Sequence, residues 1–143
     1  MAHANPPPEA LRDLLTRAQT IAVVGASSNP DRSSNGIMRK LQSVGYRVIP
    51  VNPHENEVLG ERAYPSLGDI PEKIDIVDVF RRPEYTPAIA DAAVRIGAGA
   101  LWLQQGISNE DAAARAAAGG LTVVMDECIG VAHSILGVPK KKR

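Results

Sequence analysis

IAVVGASSNPDRSSNG, residues Ile21 to Gly36, runs from an apolar, β-branched segment through a glycine into small polar residues and ends where helical spacing begins. A buried parallel strand that opens into such a loop and then a helix aims backbone N–H groups, and the positive end of a helix dipole, at one place. That place suits a phosphate. The amides of Ala26, Ser27 and Ser28 are the candidate cradle, with Ser33, Ser34 and Asn35 adding hydroxyl and helix-terminal donors. Gly25 and Gly36 permit close backbone approach at either end. The same residues also fit a surface loop that caps a helix through Ser33, and spacing alone leaves both readings open.

Outward from this unit, short β-rich runs alternate with helical segments, the pattern of right-handed βαβ units on a parallel sheet. Strands are expected at Thr20–Val24, Tyr46–Val51, Ile74–Phe80, Ala100–Gln104 and Leu121–Met125. Between them Ile37, Leu41 and Val44 recur at helical spacing up to Gly45, and a second helix is expected from about Pro87 to Ile96. The alanine-rich run DAAARAAA reads as a third, opened by a capping-box variant of Ser108 with Asp111. A leading helix, Pro8–Arg17, and a short final one near Val131–Leu136 complete a helix layer on each face. The fold class is therefore α/β, a three-layer sandwich around a five-stranded, mainly parallel sheet. Residues 1–19 form a helical segment packed on the domain, 20–137 the domain itself, and 138–143 a basic tail read as a solvated terminus. Asn52–Pro71 is the one long irregular connection.

The composition narrows the function. A chain of 143 residues with 44% hydrophobic content is long enough for a single ordinary core. Sixteen Lys and Arg balance sixteen Asp and Glu, so no global field draws in nucleic acid or an anionic membrane. Aromatic residues are 3% of the chain, too few for a platform on which single-stranded bases stack. The lone cysteine, Cys128, excludes an intramolecular disulfide, and MAHANPPPEA has no signal-peptide pattern, which points to a cytoplasmic protein. His3, His54 and His133 have no metal-ligand spacing.

In sheets of this kind ligands gather outside the carboxyl ends of the strands where strand order reverses, expected here between the first and fourth strands. The loops Gly25–Asn35, Asn52–Pro53, Phe80–Tyr85 and Gln104–Ile107 meet there. A nicotinamide site wants G-x-G-x-x-G after the first strand and an acid closing the second. Neither is present, since the second strand ends Val51-Asn52-Pro53 and the nearest acid, Glu55, lies beyond the proline. Asn52 can hydrogen-bond a sugar or base, and Pro53 can offer a flat apolar wall.

Three stretches in order, GYRVIPVNP, VDVFRRPE and WLQQGI, together with the opening loop, resemble the small stand-alone CoA-binding proteins. Their Rossmann-like domain also forms the amino-terminal part of the succinyl-CoA synthetase α subunit. The resemblance covers nearly everything from Thr20 to His133. It implies that coenzyme A lies across the carboxyl edge: its pyrophosphate on the first loop, its adenosine near Asn52 and Pro53. The pantetheine arm would lie near Phe80 to Glu84, which includes Arg81, Arg82 and Pro83, and near Trp102 to Gly106, which includes Gln104; Ile107 is a further expected CoA contact. CoA also carries a 3′-phosphate, for which Arg32, Arg39, Lys40, Arg81 and Arg82 are the available cations. Of these, Arg39 and Lys40 read as an exposed helix face.

Relatives commonly show D-R-C followed by E-H near the end, whereas this chain has Asp126-Glu127-Cys128 and Ala132-His133. His133 therefore reads as a locally packed residue, Trp102 as core, and Cys128 as either a buried inert thiol or one that meets the thiol of CoA. With no nucleophile, base and orienter in sight, the expected function is non-catalytic binding, carriage or sensing of CoA or an acyl-CoA. An NAD(P)-dependent oxidoreductase and a regulatory protein with a vestigial pocket are the alternatives. Any protein partner and the assembly state are left open.

Overall fold

The structure is a computed structural model and describes residues 2–142. Helix α1 (Pro8–Arg17) leads into strand β1 (Thr20–Val24), helix α2 (Ser33–Ser43) and strand β2 (Arg47–Val51). A two-residue hairpin, β3 (Glu57–Val58) with β4 (Glu61–Arg62), interrupts the connection to β5 (Ile76–Val79). Then follow α3 (Thr86–Arg95), β6 (Ala100–Leu103), α4 (Glu110–Ala118), β7 (Thr122–Val124) and α5 (Ile129–Ile135). The main sheet has the order β2-β1-β5-β6-β7, and every pair in it is parallel. Among the described residues no helix is long and apolar enough to cross a membrane.

Period-two alternation along buried strands sends side chains to opposite faces, and each face meets its own helices. Ile21, Val23, Ile76 and Trp102 pack under Leu11, Leu15, Met38 and Leu41 of α1 and α2, with Ile129 of α5. Ala22, Val77, Leu101 and Leu103 pack under α3 and α4, whose buried positions are Ala90, Ala93, Ala112, Ala113 and Ala116. Alanine on these two helices lets them sit close to one another, and a Cβ on Gly119 would fall 2.5 Å from the Val94 side chain.

Three expectations are corrected here. The strand-order reversal lies between β1 and β5, the first and third strands of the sheet, not the first and fourth. Only one strand lies outside β1 on that side, because the chain leaving β2 crosses back through the hairpin. Asn52–Pro71 is accordingly not structureless. Arg47 grips Glu61 of the hairpin and, at 2.9 Å, Glu72 beyond it, while Tyr64 bridges Val51 and its carbonyl accepts from the Asn52 amide. The α4 cap is also not Ser108. Asn109 occupies the N-cap, its side chain accepting from the Ala112 amide at 2.9 Å. Asn109→Ala removes that acceptor and is expected to cost about 1 kcal/mol, read by urea unfolding.

Both chain ends are tied down. The Asn5 side chain donates to the Met125 carbonyl and accepts from the Met125 amide, each at 2.8 Å, beside the edge strand β7. At the other end the expected solvated tail is anchored at Lys141. Its amide donates to Val44, its ammonium donates to the Thr16 carbonyl at 2.7 Å, and it lies over the Tyr46 ring. Arg143 lies outside the described residues.

Candidate functional site

At the carboxyl edge the loops enclose a cleft of about 600 Å3. Gly25 and Ser27 after β1, Arg32, Ser33 and Ser34 at the start of α2, and Phe80 and Arg81 after β5 form one side. Asn52, Pro53 and His54 after β2 form another, with Leu67 and Ile89 behind. Ser33 and Phe80 also border a smaller cleft of about 330 Å3, whose further walls are Ile37, Gln104, Gln105, Ile107 and Cys128. The two clefts together follow the sheet edge from β2 to β6.

Gly25 is required by its backbone. Its φ is +89°, and a Cβ there would lie 2.8 Å from the Phe80 carbonyl oxygen, so the loop rests directly on the chain leaving β5. Gly36 differs, since a Cβ would meet nothing within 4 Å and nothing in the protein requires glycine at that position. Two asparagines hold the loop from within. Asn35 is 1% exposed and donates to the Ser27 carbonyl at 2.9 Å, while its oxygen accepts from Arg39. Asn52 donates to the Ala26 carbonyl at 2.8 Å and accepts from the His54 amide. Both were expected to face a ligand; both spend their amides on the loop itself.

The amides of Ala26, Ser27, Ser33 and Ser34 have no partner among the described residues. Those of Ser33 and Ser34 are the free donors of a helix N-terminus. The Ser28 amide is different, because it already donates to Glu55. Arg32 and Arg81 are the arginines on the wall of the larger cleft, no carboxylate lines it, and the Arg81 guanidinium lies 4.6 Å from the Tyr85 ring centre. Arg82, Pro83 and Gly106 border neither cleft. Pro83 starts a short 3-10 turn whose first carbonyl accepts from Thr86 and Asn109, and the Gly106 amide donates to Asp126 at 2.6 Å. Gln104 is 5% exposed, and its oxygen accepts from the Ile129 amide at the start of α5.

Side chains of interest off the cleft walls are buried. Trp102 is fully buried and donates to the Glu127 carbonyl. His133 meets the Tyr46 ring edge-on at 5.8 Å, and burial, then Lys40 and Lys141, push its pKa down. Asp78, which sequence reasoning passed over, is fully buried in β5 between Val23 and Trp102, and neither carboxyl oxygen has a hydrogen-bond partner. Burial disfavours its charged form and pushes its pKa well up. Of the two acids in IDIVDVF, Asp78 stands between Val77 and Val79 in the apolar part of the run, and that was the available signal. His54, Leu67 and Ile89 were also missed, because the turn after β2, the segment before β5 and α3 reach the cleft only through the tertiary fold.

These features define a Rossmann-like α/β domain with its cleft at the carboxyl edge of the sheet. Residues 19–134 match the CoA binding domain family model, and the chain belongs to that family. It is 44% identical over 131 residues to the Uncharacterized protein YneT of Bacillus subtilis (strain 168), covering 92% of this chain and 97% of that one. The solved structure of a hypothetical protein from Pyrococcus horikoshii OT3 superposes with a TM-score of 0.89 at 40% identity, covering 95% and 99% of the two chains. Acetate–CoA ligase [ADP-forming] II of Archaeoglobus fulgidus is 31% identical over 103 residues, which is 70% of this chain but 15% of the ligase.

Proposed function

We propose that this chain binds coenzyme A or an acyl-CoA along the carboxyl edge of its sheet and holds it unchanged, as a carrier or sensor. The observation that carries this reading is the set of unpartnered amides at Ala26, Ser27, Ser33 and Ser34, beside a cleft that has Arg32 and Arg81 on its wall and no carboxylate. Converging peptide donors and a helix terminus suit a diphosphate, and arginine suits a further phosphate oxygen. The larger cleft offers Pro53 and Ile89 as apolar surfaces for the adenosine. Beyond Phe80 the smaller cleft suits a slender pantetheine arm, with Ile37 and Ile107 as apolar walls and Cys128 among the residues that border it. Membership of the CoA-binding domain family supports the same ligand.

Calorimetry with CoA, acetyl-CoA, NADH and NADPH tests the proposal. Binding of CoA or acetyl-CoA is expected; preference for a nicotinamide cofactor favours an oxidoreductase, and no heat from any ligand favours a vestigial pocket. Arg81→Ala is expected to weaken CoA about tenfold, the scale of one charge-assisted hydrogen bond, and Arg82→Ala less than about twofold. A larger Arg81→Ala loss for CoA than for dephospho-CoA assigns Arg81 to the 3′-phosphate, and equal losses assign it to the diphosphate.

A further inference from the structure

The loop that offers its amides to a diphosphate already holds one anion, which belongs to the protein. After β2 the chain turns sharply: the His54 amide donates to the Asn52 side chain and the Glu55 amide to the Asn52 carbonyl. That turn folds Glu55 back over the loop after β1. Its carboxylate accepts from the Ser28 amide at 2.8 Å, and the Ser28 hydroxyl lies 3.0 Å from both carboxylate oxygens. An amide and a hydroxyl gripping a carboxylate use the same donors that grip a phosphate oxygen. No lysine or arginine among the described residues forms an ion pair with Glu55, so its charge rests on neutral donors alone.

We propose that Glu55 is an internal competitor for the diphosphate-binding loop and that its hold on Ser28 sets the affinity of the site for its ligand. The inference rests on the CoA-binding reading and adds a regulating residue to it. A diphosphate seated on the amides of Ala26 and Ser27 brings negative charge beside that carboxylate, which is held on the next residue of the same loop, and the repulsion between the two weakens the ligand's hold.

Titration calorimetry of wild type, Glu55→Ala and Glu55→Gln with CoA and with dephospho-CoA, at one ionic strength, tests this. Glu55→Ala removes the competitor and is expected to tighten both ligands about three- to tenfold, the range for a partly solvated charge-assisted contact. Glu55→Gln keeps an acceptor for the Ser28 amide but loses the charge, and its affinity falls between the two. Unchanged or weaker binding by both variants overturns the proposal and makes Glu55 a brace that shapes the loop. A gain confined to CoA also overturns it, by placing the carboxylate against the 3′-phosphate instead. No CoA binding by any of the three proteins removes the CoA reading and this inference with it.

Discussion

Gly25→Ala is expected to lower stability by about 2–5 kcal/mol and to abolish the proposed CoA binding. At φ +89° an L-residue pays about 1–2 kcal/mol for the left-handed backbone. The added methyl meets the Phe80 carbonyl oxygen at 2.8 Å, and Phe80 cannot retreat, because its own amide donates to the Val24 carbonyl at 2.8 Å. Overpacking of this kind adds about 1–3 kcal/mol. For a domain of this size the sum corresponds to a melting point lower by roughly 4–20 °C. Gly36→Ala is the matched control, expected to stay within about 0.5 kcal/mol, since its methyl points into open space. A Gly25→Ala protein that melts with the wild type would show that the loop does not rest on Phe80.

The second large effect concerns Asp78 and is a function of pH. Its folded-state pKa is raised by burial above the ordinary 3.8. Folded protein therefore keeps a proton that unfolded chain releases, and stability is full below the unfolded value. As pH rises from there toward the folded value the unfolded state gains the advantage, and stability falls. Asp78→Asn removes the titration while keeping the shape. The expected result is that urea unfolding of wild type loses stability relative to the variant as pH rises above the ordinary carboxyl value of 3.8. Parallel pH profiles for the two proteins would mean that Asp78 has a partner in solution.

Much of this architecture was legible in the sequence, because buried parallel strands are continuous apolar runs and each is punctuated by glycine or proline. TIAVV, RVIPV and ALWL all read directly as strands. Strand order was harder. The reversal beside β1 depends on where the chain goes after β2, and that is decided by a hairpin of two-residue strands held by Arg47, whose partners lie 14 and 25 residues away. Ser27, Ser33 and Ser34, which line the larger cleft, were visible as a small-residue loop entering a helix. Asn35 and Asn52 were not separable from them, because an amide side chain serves a ligand or a neighbouring carbonyl equally well, and only distance chooses. Glu55 shows the same gap in reverse. Too far along the chain to close β2, it was set aside as a ribose clamp, yet one turn of backbone returns its carboxylate to the loop.

Asn5 and Tyr64 have a consequence beyond local order. A parallel sheet ends in two rims of unsatisfied peptide groups, which are ready templates for another polypeptide. Here the Asn5 amide group mimics one residue of a neighbouring strand against Met125, and Tyr64 completes the rim at Pro50 and Asn52. Pro50, with no N–H to offer, sits on the outermost strand at that rim. At these positions the peptide groups that an added strand would pair with are already taken, or in the case of Pro50 have no donor to give.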